Sequence, residues 1–194
     1  MVRDSILSMK YEELNRFAAV KAVPVVLFAI LIAISARVGF MTPLSPVPVT
    51  LQTAAVLLAG MLLGSYAGAF SALTYIAIGL MGAPVFSNGV GGPGILLQPS
   101  FGYILAFPFA AFLAGKLAGH PAGTRFSSFI SAAVAGAVVI LLMGSIWLSG
   151  HLIIAGLSPG DALKAGWTSG IAPFLLVDGI KVILVTGICS LVRK

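Results

Sequence analysis

The sequence has 194 residues, of which 59% are hydrophobic and 8% charged, and its formal net charge is +6. Soluble domains contain about 25% charged residues, and a soluble fold of this length could not bury so much apolar surface. The composition therefore excludes an ordinary soluble protein. It predicts a single all-α integral membrane domain over 1–194, with the lipid bilayer as its solvent.

Residues 1–21 mix acidic and basic side chains, and no small-x-small cleavage site follows the first apolar run before Arg37. This pattern is not that of a secretory signal peptide, so we expect a cytoplasmic or interfacial N-terminal segment. A short amphipathic helix on the membrane surface over 11–20 and a solvated tail fit it equally well.

Six apolar runs follow in chain order, and each predicts a transmembrane helix. They cover approximately residues 22–39, 49–63, 66–82, 101–118, 126–150 and 171–192. The second run would reach only about 22 Å as a helix, short of the roughly 30 Å hydrocarbon core. Small residues crowd the second and third runs and predict close approach of these two helices. A further short helix is predicted within 157–168, because Ser158-Pro159-Gly160-Asp161 is typical of a helix start.

Two loops between the runs have unusual compositions. Residues 42–48 contain three prolines, which cannot occupy a helix interior, so an extended and stiff loop is predicted there. Residues 83–100 are rich in glycine and proline but also contain apolar side chains. Such a loop is expected to fold back onto the bundle as a lid.

The basic residues predict the topology. With the N-terminus inside, eight lie on the cytoplasmic side and two, Arg37 and Lys164, lie outside. The eight are Arg3, Lys10, Arg16, Lys21, Lys116, Arg125, Arg193 and Lys194. This positive-inside bias predicts a multi-pass protein of the cell (plasma) membrane with six helices and both termini cytoplasmic. Since the basic residues have this topological explanation, no nucleic-acid partner is expected.

Asp178 and Lys181 remain as charges within the sixth run, three residues apart and therefore on one helix face. A charge inside a transmembrane helix is costly and normally faces a cavity or a partner. One interpretation is a structural ion pair that pins two helices. The other, which we favour, is the polar end of a ligand pocket, with Lys181 or a ligand close to Asp178.

Further candidates are polar or aromatic residues near the same membrane face. Asn88 is the main polar side chain of the glycine-rich loop, although Asn-Gly is also a common turn. Gln52 opens the second helix, where helix-end polarity is the alternative. Phe86 and Tyr103 would pack against an apolar ligand, whereas an interfacial aromatic belt is the ordinary role of such residues.

A stripe of small residues, Ala29, Ala33 and Ala36, lies along the first helix. It fits either contact with a partner helix or packing within the subunit. No GxxxxGK[ST] phosphate loop occurs, and no metal cluster or His-Ser pair presents itself, so we expect no enzyme activity, no metal and no cofactor.

The order and spacing of four strings resemble the BioY family, the biotin-specific S components of energy-coupling factor (ECF) transporters. The strings are Pro46-Val47-Pro48-Val49-Thr50-Leu51-Gln52-Thr53, Gly82-Ala83-Pro84-Val85-Phe86, Gly102-Tyr103 and Asp178-Gly179-Ile180-Lys181. The resemblance implies a biotin site open to the outside, formed with Asp178, Lys181 and Asn88. It also implies that Ala29 and Ala33 contact a transmembrane T component, and that two ABC-type ATPase subunits supply the energy.

The chain departs from the family pattern at Gln98-Pro99-Ser100-Phe101-Gly102-Tyr103, where many relatives have a more glycine-rich string. No arginine in that region is available for biotin's carboxylate, which is left facing water, and neither Arg37 nor Lys164 is favoured for it. Two other functions stay open. One is an S component for another vitamin, such as thiamin or riboflavin, and the other is a proton-coupled secondary transporter that uses Asp178 as a relay.

Overall fold

The computed structural model describes residues 22–119 and 126–193. The N-terminal segment 1–21, for which a surface helix was one of two interpretations, lies outside the described residues. Within the described part the chain is mostly helical, with one short hairpin and one long loop.

Each of the six apolar runs contains one helix, and a seventh, short helix precedes the last. The helices are α1 (Ala22–Ser35), α2 (Gln52–Leu63), α3 (Ser65–Leu80), α4 (Phe101–Ala118), α5 (Phe126–Ile154), α6 (Pro159–Gly170) and α7 (Ala172–Val192). The predicted helix start is confirmed, since the Ser158 side chain accepts a hydrogen bond from the backbone N–H of Asp161 and caps α6.

Among the described residues, three helical segments have the length and hydropathy to cross a membrane. They are α4, α5 and the continuous stretch of α6 and α7. The apolar helices α1, α2 and α3 are shorter. The 12 residues of α2 span only about 18 Å.

A β-hairpin precedes α2, where an extended loop was predicted. Strand β1 (Gly39–Thr42) pairs antiparallel with β2 (Ser45–Thr50), with Gly39 opposite Thr50 and Phe40 opposite Val49. A two-stranded sheet has two free edges, which accommodates the prolines of β2. Ser45, Val47 and Val49 alternate as the buried face of β2 against the bundle. The second apolar run is therefore part strand, and helix α2 begins at Gln52 rather than near 49.

Small residues bring three helix backbones into contact. A Cβ atom added to Gly68 of α3 would lie 2.5 Å from the Cα of Gly60 in α2. A Cβ on Gly60 would lie 2.1 Å from the Ala111 carbonyl oxygen of α4, and one on Gly115 of α4 would lie 2.5 Å from the Ser65 nitrogen. The predicted close approach of α2 and α3 is confirmed, and α4 takes part in it as well.

Residues 83–100 fold back onto the bundle, as predicted. Their anchors are Phe86 and Ile95, with 0% and 1% exposure. Phe86 fits against Gly79 of α3 and meets the edge of Tyr75, with ring centroids 5.5 Å apart. The Arg37 guanidinium, just after α1, donates to the Pro84 carbonyl. The hairpin and the loop therefore cover the same end of the bundle.

Arg193 secures the opposite end. Its guanidinium donates to the carbonyl oxygens of Met61 (2.9 Å) and Gly119 (2.7 Å), at the ends of α2 and α4. It also lies 5.5 Å from the centroid of the Phe129 ring of α5. Helix-end carbonyls lack intrahelical partners, so one cation satisfies two of them and ties four helices together.

Candidate functional site

The two charges of the sixth apolar run form a buried ion pair. Asp178 and Lys181 lie one turn apart on α7, with 5% and 3% exposure. The Lys181 Nζ atom is 2.7 Å from the Asp178 Oδ1 atom. The prediction that Lys181 lies close to Asp178 is confirmed. Leu176 and Ile183 of the same helix are exposed, so the pair faces the bundle interior and the apolar side chains face outward.

Thr53, in the first turn of α2, completes the cluster. Its hydroxyl accepts a hydrogen bond from Lys181 Nζ at 2.9 Å and donates to Asp178 Oδ1 at 3.4 Å. Of the three Lys181 N–H groups, two therefore have partners among the described residues, and the second Asp178 oxygen has none there. The cluster offers a ligand one charged donor and one charged acceptor, side by side.

A cavity of about 40 Å³ adjoins this cluster. Strand β2, the 83–100 loop and helices α2, α4, α5 and α7 enclose it, and Phe107, Ile140 and Phe174 give it apolar walls. Pockets for vitamin-sized ligands measure roughly 300–1,000 Å³. A ligand of that size therefore fits only if the walls of the cavity move apart. Within the described residues no three His, Cys, Asp or Glu side chains lie close enough together to hold a metal ion.

Gln52 and Tyr103 also line this cavity. The Gln52 Nε2 atom donates to the Tyr75 hydroxyl at 2.6 Å, and the Tyr103 hydroxyl donates to the Gly170 carbonyl at 2.7 Å. The Tyr103 ring packs against Phe174, with centroids 5.7 Å apart. Each side chain thus has a hydrogen-bond partner within the protein, and Gln52 keeps a second N–H group.

Comparison with known proteins places this site in a family. The BioY family profile matches residues 9–194. A probable biotin transporter BioY of Pyrococcus horikoshii is 34% identical over 157 residues, which is 81% of this chain and 86% of the relative. The biotin transporter BioY of Thermotoga maritima is 32% identical over 168 residues, covering 87% and 92% of the two chains. This chain belongs to the BioY family.

A solved structure shows the same fold. The S component for biotin from an ECF-type ABC transporter superposes with a TM-score of 0.77 and 29% sequence identity. The match covers 93% of this chain and 94% of the other. The chain thus has the fold of this S component, and the family resemblance read from the sequence is confirmed.

Two predicted site residues of this BioY-family chain lie outside the cavity. Phe86 is fully buried between α3 and the loop, where its ring covers Gly79, and it does not line the cavity. Asn88 has the left-handed conformation (φ 59°) within a tight turn, as its Asn-Gly sequence favours. Its neighbour Ser87 does line the cavity. Ligand contact through Phe86 and Asn88 therefore stays a prediction.

Asn88 lines a second cavity, of about 280 Å³, at the outer surface of the hairpin. Arg37 is its charged lining residue. Three residues, Pro48, Thr50 and Ser87, line both cavities, so the two spaces share one wall. The sequence explained Arg37 by topology, and Arg37 was not favoured there as a partner of the ligand's carboxylate.

The alanine stripe of α1 points mainly inward. Ala29 and Ala36 are each 3% exposed, and Ala33 packs partly against the same core. The structure thus favours packing within the subunit for Ala29, the alternative that the sequence left open. The exposed face of α1 carries large apolar side chains instead, among them Ile30 and Ile34.

Proposed function

We propose that this BioY-family chain is the S component that captures biotin outside the cell and delivers it inward. The observation that carries the proposal is the Asp178–Lys181–Thr53 cluster at the end of an otherwise apolar cavity. The named relatives, biotin transporters and a biotin S component, support the same ligand.

The chemistry of the cluster suits biotin's ureido group, which has one carbonyl acceptor and two N–H donors. The third Lys181 N–H donates to the carbonyl, and the second Asp178 oxygen accepts from a ring N–H. Charge-assisted hydrogen bonds of this kind are stronger than neutral ones, especially away from water. The thioether ring and the valeryl chain lie against Phe107, Ile140 and Phe174. When the loop moves to admit the ligand, Asn88 turns toward it beside Ser87 and adds a further hydrogen bond to the ligand.

The proposed topology is six membrane crossings with both termini in the cytoplasm of a multi-pass plasma-membrane protein. The excess of basic residues on one side supports it. In this arrangement α6 lies at the outer face without crossing, and the hairpin completes the short helix α2. Biotin then enters from the outer end, which the hairpin and the 83–100 loop cover.

The proposed partners are a transmembrane T component and two ABC-type ATPase subunits. The sequence lacks a phosphate loop of its own, and the matched structure comes from an ECF-type ABC transporter, which supports external energy coupling. ATP hydrolysis in the partners would then reorient this subunit with its ligand. The exposed face of α1 around Ala33 is the proposed contact.

Co-purification from membranes tests the assembly. Ile34→Trp enlarges an exposed α1 residue and is expected to reduce recovery of the T component, while biotin binding is retained. Ile183→Trp, on the exposed face of α7, is the matched control and is expected to assemble normally. Equal recovery of the T component with both variants would contradict contact through α1.

Equilibrium binding of radiolabelled biotin to the purified protein tests the ligand. We expect a dissociation constant below the micromolar range, loss of binding in Asp178→Ala, and normal binding in Asp161→Asn. Asp161 is the exposed carboxylate at the start of α6, so it controls for loss of a negative charge. Absence of sub-micromolar binding, or tighter binding of thiamin or riboflavin, would overturn the biotin assignment. Uptake that depends on a proton gradient without ATPase partners would favour the secondary transporter instead.

A further inference from the structure

The second cavity lies beside the first. Both are lined by Pro48, Thr50 and Ser87, and the larger one ends at Arg37 and Asn88. A ligand whose head lies at the Asp178–Lys181 pair and whose tail passes this shared wall would reach Arg37. The lining of the outer space is polar, in contrast to the apolar walls around the inner one.

The charges of the two cavities differ. Asp178 and Lys181 neutralise each other in the inner cavity, whereas Arg37 brings a positive charge to the outer one. The described residues contain two carboxylates, Asp161 and Asp178, and each is hydrogen-bonded elsewhere, to Ser158 and to Lys181. Arg37 therefore has no carboxylate partner within the described part of the chain. Taken together, the two cavities carry one net positive charge and suit a ligand with one negative charge.

The Arg37 guanidinium has spare hydrogen-bonding capacity. It donates from one terminal nitrogen to the Pro84 carbonyl, and its other terminal nitrogen lies over Gly89, 2.9 Å from where a Cβ would stand. A guanidinium has five N–H donors in a planar fork that matches a carboxylate. Arg37 can thus hold the loop and still present donors to an anion in the cavity beside Asn88.

We propose that Arg37, with Asn88 and Ser87 beside it, is the subsite that binds the carboxylate of the ligand. The inference rests on the proposed function, since it assigns the second end of a molecule whose first end lies at Asp178 and Lys181. It replaces the expectation that the carboxylate faces water alone. It also gives a reason for rejecting cationic vitamins such as thiamin, because their charge would meet the Arg37 guanidinium.

The test compares biotin with biotin amide, which has the same shape but no charge on its tail. The ratio of their dissociation constants is measured for the wild type, Arg37→Gln, Arg37→Lys and Lys164→Gln. The wild type is expected to prefer biotin by about 5- to 10-fold, a modest value because Arg37 is exposed. Arg37→Gln is expected to lower the preference to about 1, because it removes the positive charge that binds the carboxylate. Arg37→Lys keeps that charge and is expected to retain a preference for biotin over biotin amide.

Lys164→Gln removes an exposed cation that lines neither cavity and is expected to leave the ratio unchanged. The ratio is measured because Arg37 also ties the loop to the end of α1, and loss of that contact alone would weaken the binding of both compounds equally. Weaker binding of both compounds by the same factor in Arg37→Gln would make Arg37 a loop contact only and would overturn the inference, while the biotin assignment would stand. An unchanged ratio would overturn it as well. If the wild type bound neither compound, the proposed function itself would fail.

Discussion

Replacing the two members of the buried ion pair, singly and together, separates its structural role from its ligand role. Lys181→Met removes the cation at nearly constant length and leaves the Asp178 carboxylate 5% exposed without it. Asp178→Asn does the reverse with an isosteric side chain. Breaking a buried pair costs about 3–5 kcal/mol, whereas replacing both partners by neutral groups is often close to neutral.

We therefore expect each single variant to unfold earlier than the wild type, and the Asp178→Asn/Lys181→Met double variant to recover most of the loss. For a chain of this length, about 1 kcal/mol shifts the unfolding midpoint by about 2–4 °C, so each single change should lower it by about 6–20 °C. The Thr53 hydroxyl stays bonded to whichever partner remains, which favours the lower part of that range. Thermal unfolding in detergent is the assay, with lipid-facing Ile180→Met as the control on α7.

Biotin binding supplies the second measurement on the same variants. A ligand site predicts that the double variant is stable but does not bind biotin, because both its charged donor and its charged acceptor are gone. A double variant that bound biotin like the wild type would show that the pair only pins α2 to α7. A double variant destabilised by the sum of the single effects would refute the argument from charge pairing.

Two further predictions concern side chains around the fold. Gly79→Val is expected to displace the Phe86 ring, since even a Cβ atom at Gly79 would lie 2.2 Å from the Phe86 Cζ atom. The 83–100 loop should then be cleaved faster in limited proteolysis. Gly94→Val is the control and should not change the rate of cleavage, because a Cβ atom there meets nothing within 4 Å. Equal rates would contradict the anchoring role of Phe86. Thr186→Val should raise the free energy of unfolding by up to about 1–3 kcal/mol, because the buried Thr186 hydroxyl has no hydrogen-bond partner among the described residues. Thr186→Ser keeps the hydroxyl and loses a methyl group, so it should not be stabilising. A Thr186→Val variant less stable than the wild type would contradict the argument, because it would show that the hydroxyl has a hydrogen-bond partner.

The helices were predictable because each apolar run is long and bounded by glycine, proline or charge. The hairpin was not, because its strand β2 is only six residues long, contains two prolines and is followed after one residue by α2. A run of apolar residues does not distinguish a strand from a helix by hydropathy alone. The prolines excluded a helix at 42–48. The pairing with Gly39 and Phe40 depends on the turn that brings β1 and β2 side by side, which hydropathy does not predict.

The sequence predicted the site only where it contains a residue that is energetically costly inside a membrane. Asp178 and Lys181 were found because charges inside an apolar helix require a reason. Thr53 lies 125 residues from Asp178 along the chain, and its hydroxyl resembles ordinary helix-end polarity until α2 and α7 pack together. Phe86 was placed at the ligand because aromatic side chains suit apolar ligands, but the space beside Gly79 accommodates its ring in the core.

Arg37 shows why one residue can satisfy a topological explanation and still have a second role. Its place at the end of an apolar run fits the count of outer basic residues, so nothing in the sequence required more of it. The structure adds two features that the membrane topology does not explain. Arg37 donates a hydrogen bond to the Pro84 carbonyl, and it lines the cavity that shares a wall with the Asp178–Lys181 site. A neutral buried pair selects a polar head group but not the charge of the ligand. In the proposed site, selection by charge comes from Arg37, which lines the neighbouring cavity and has no carboxylate partner among the described residues.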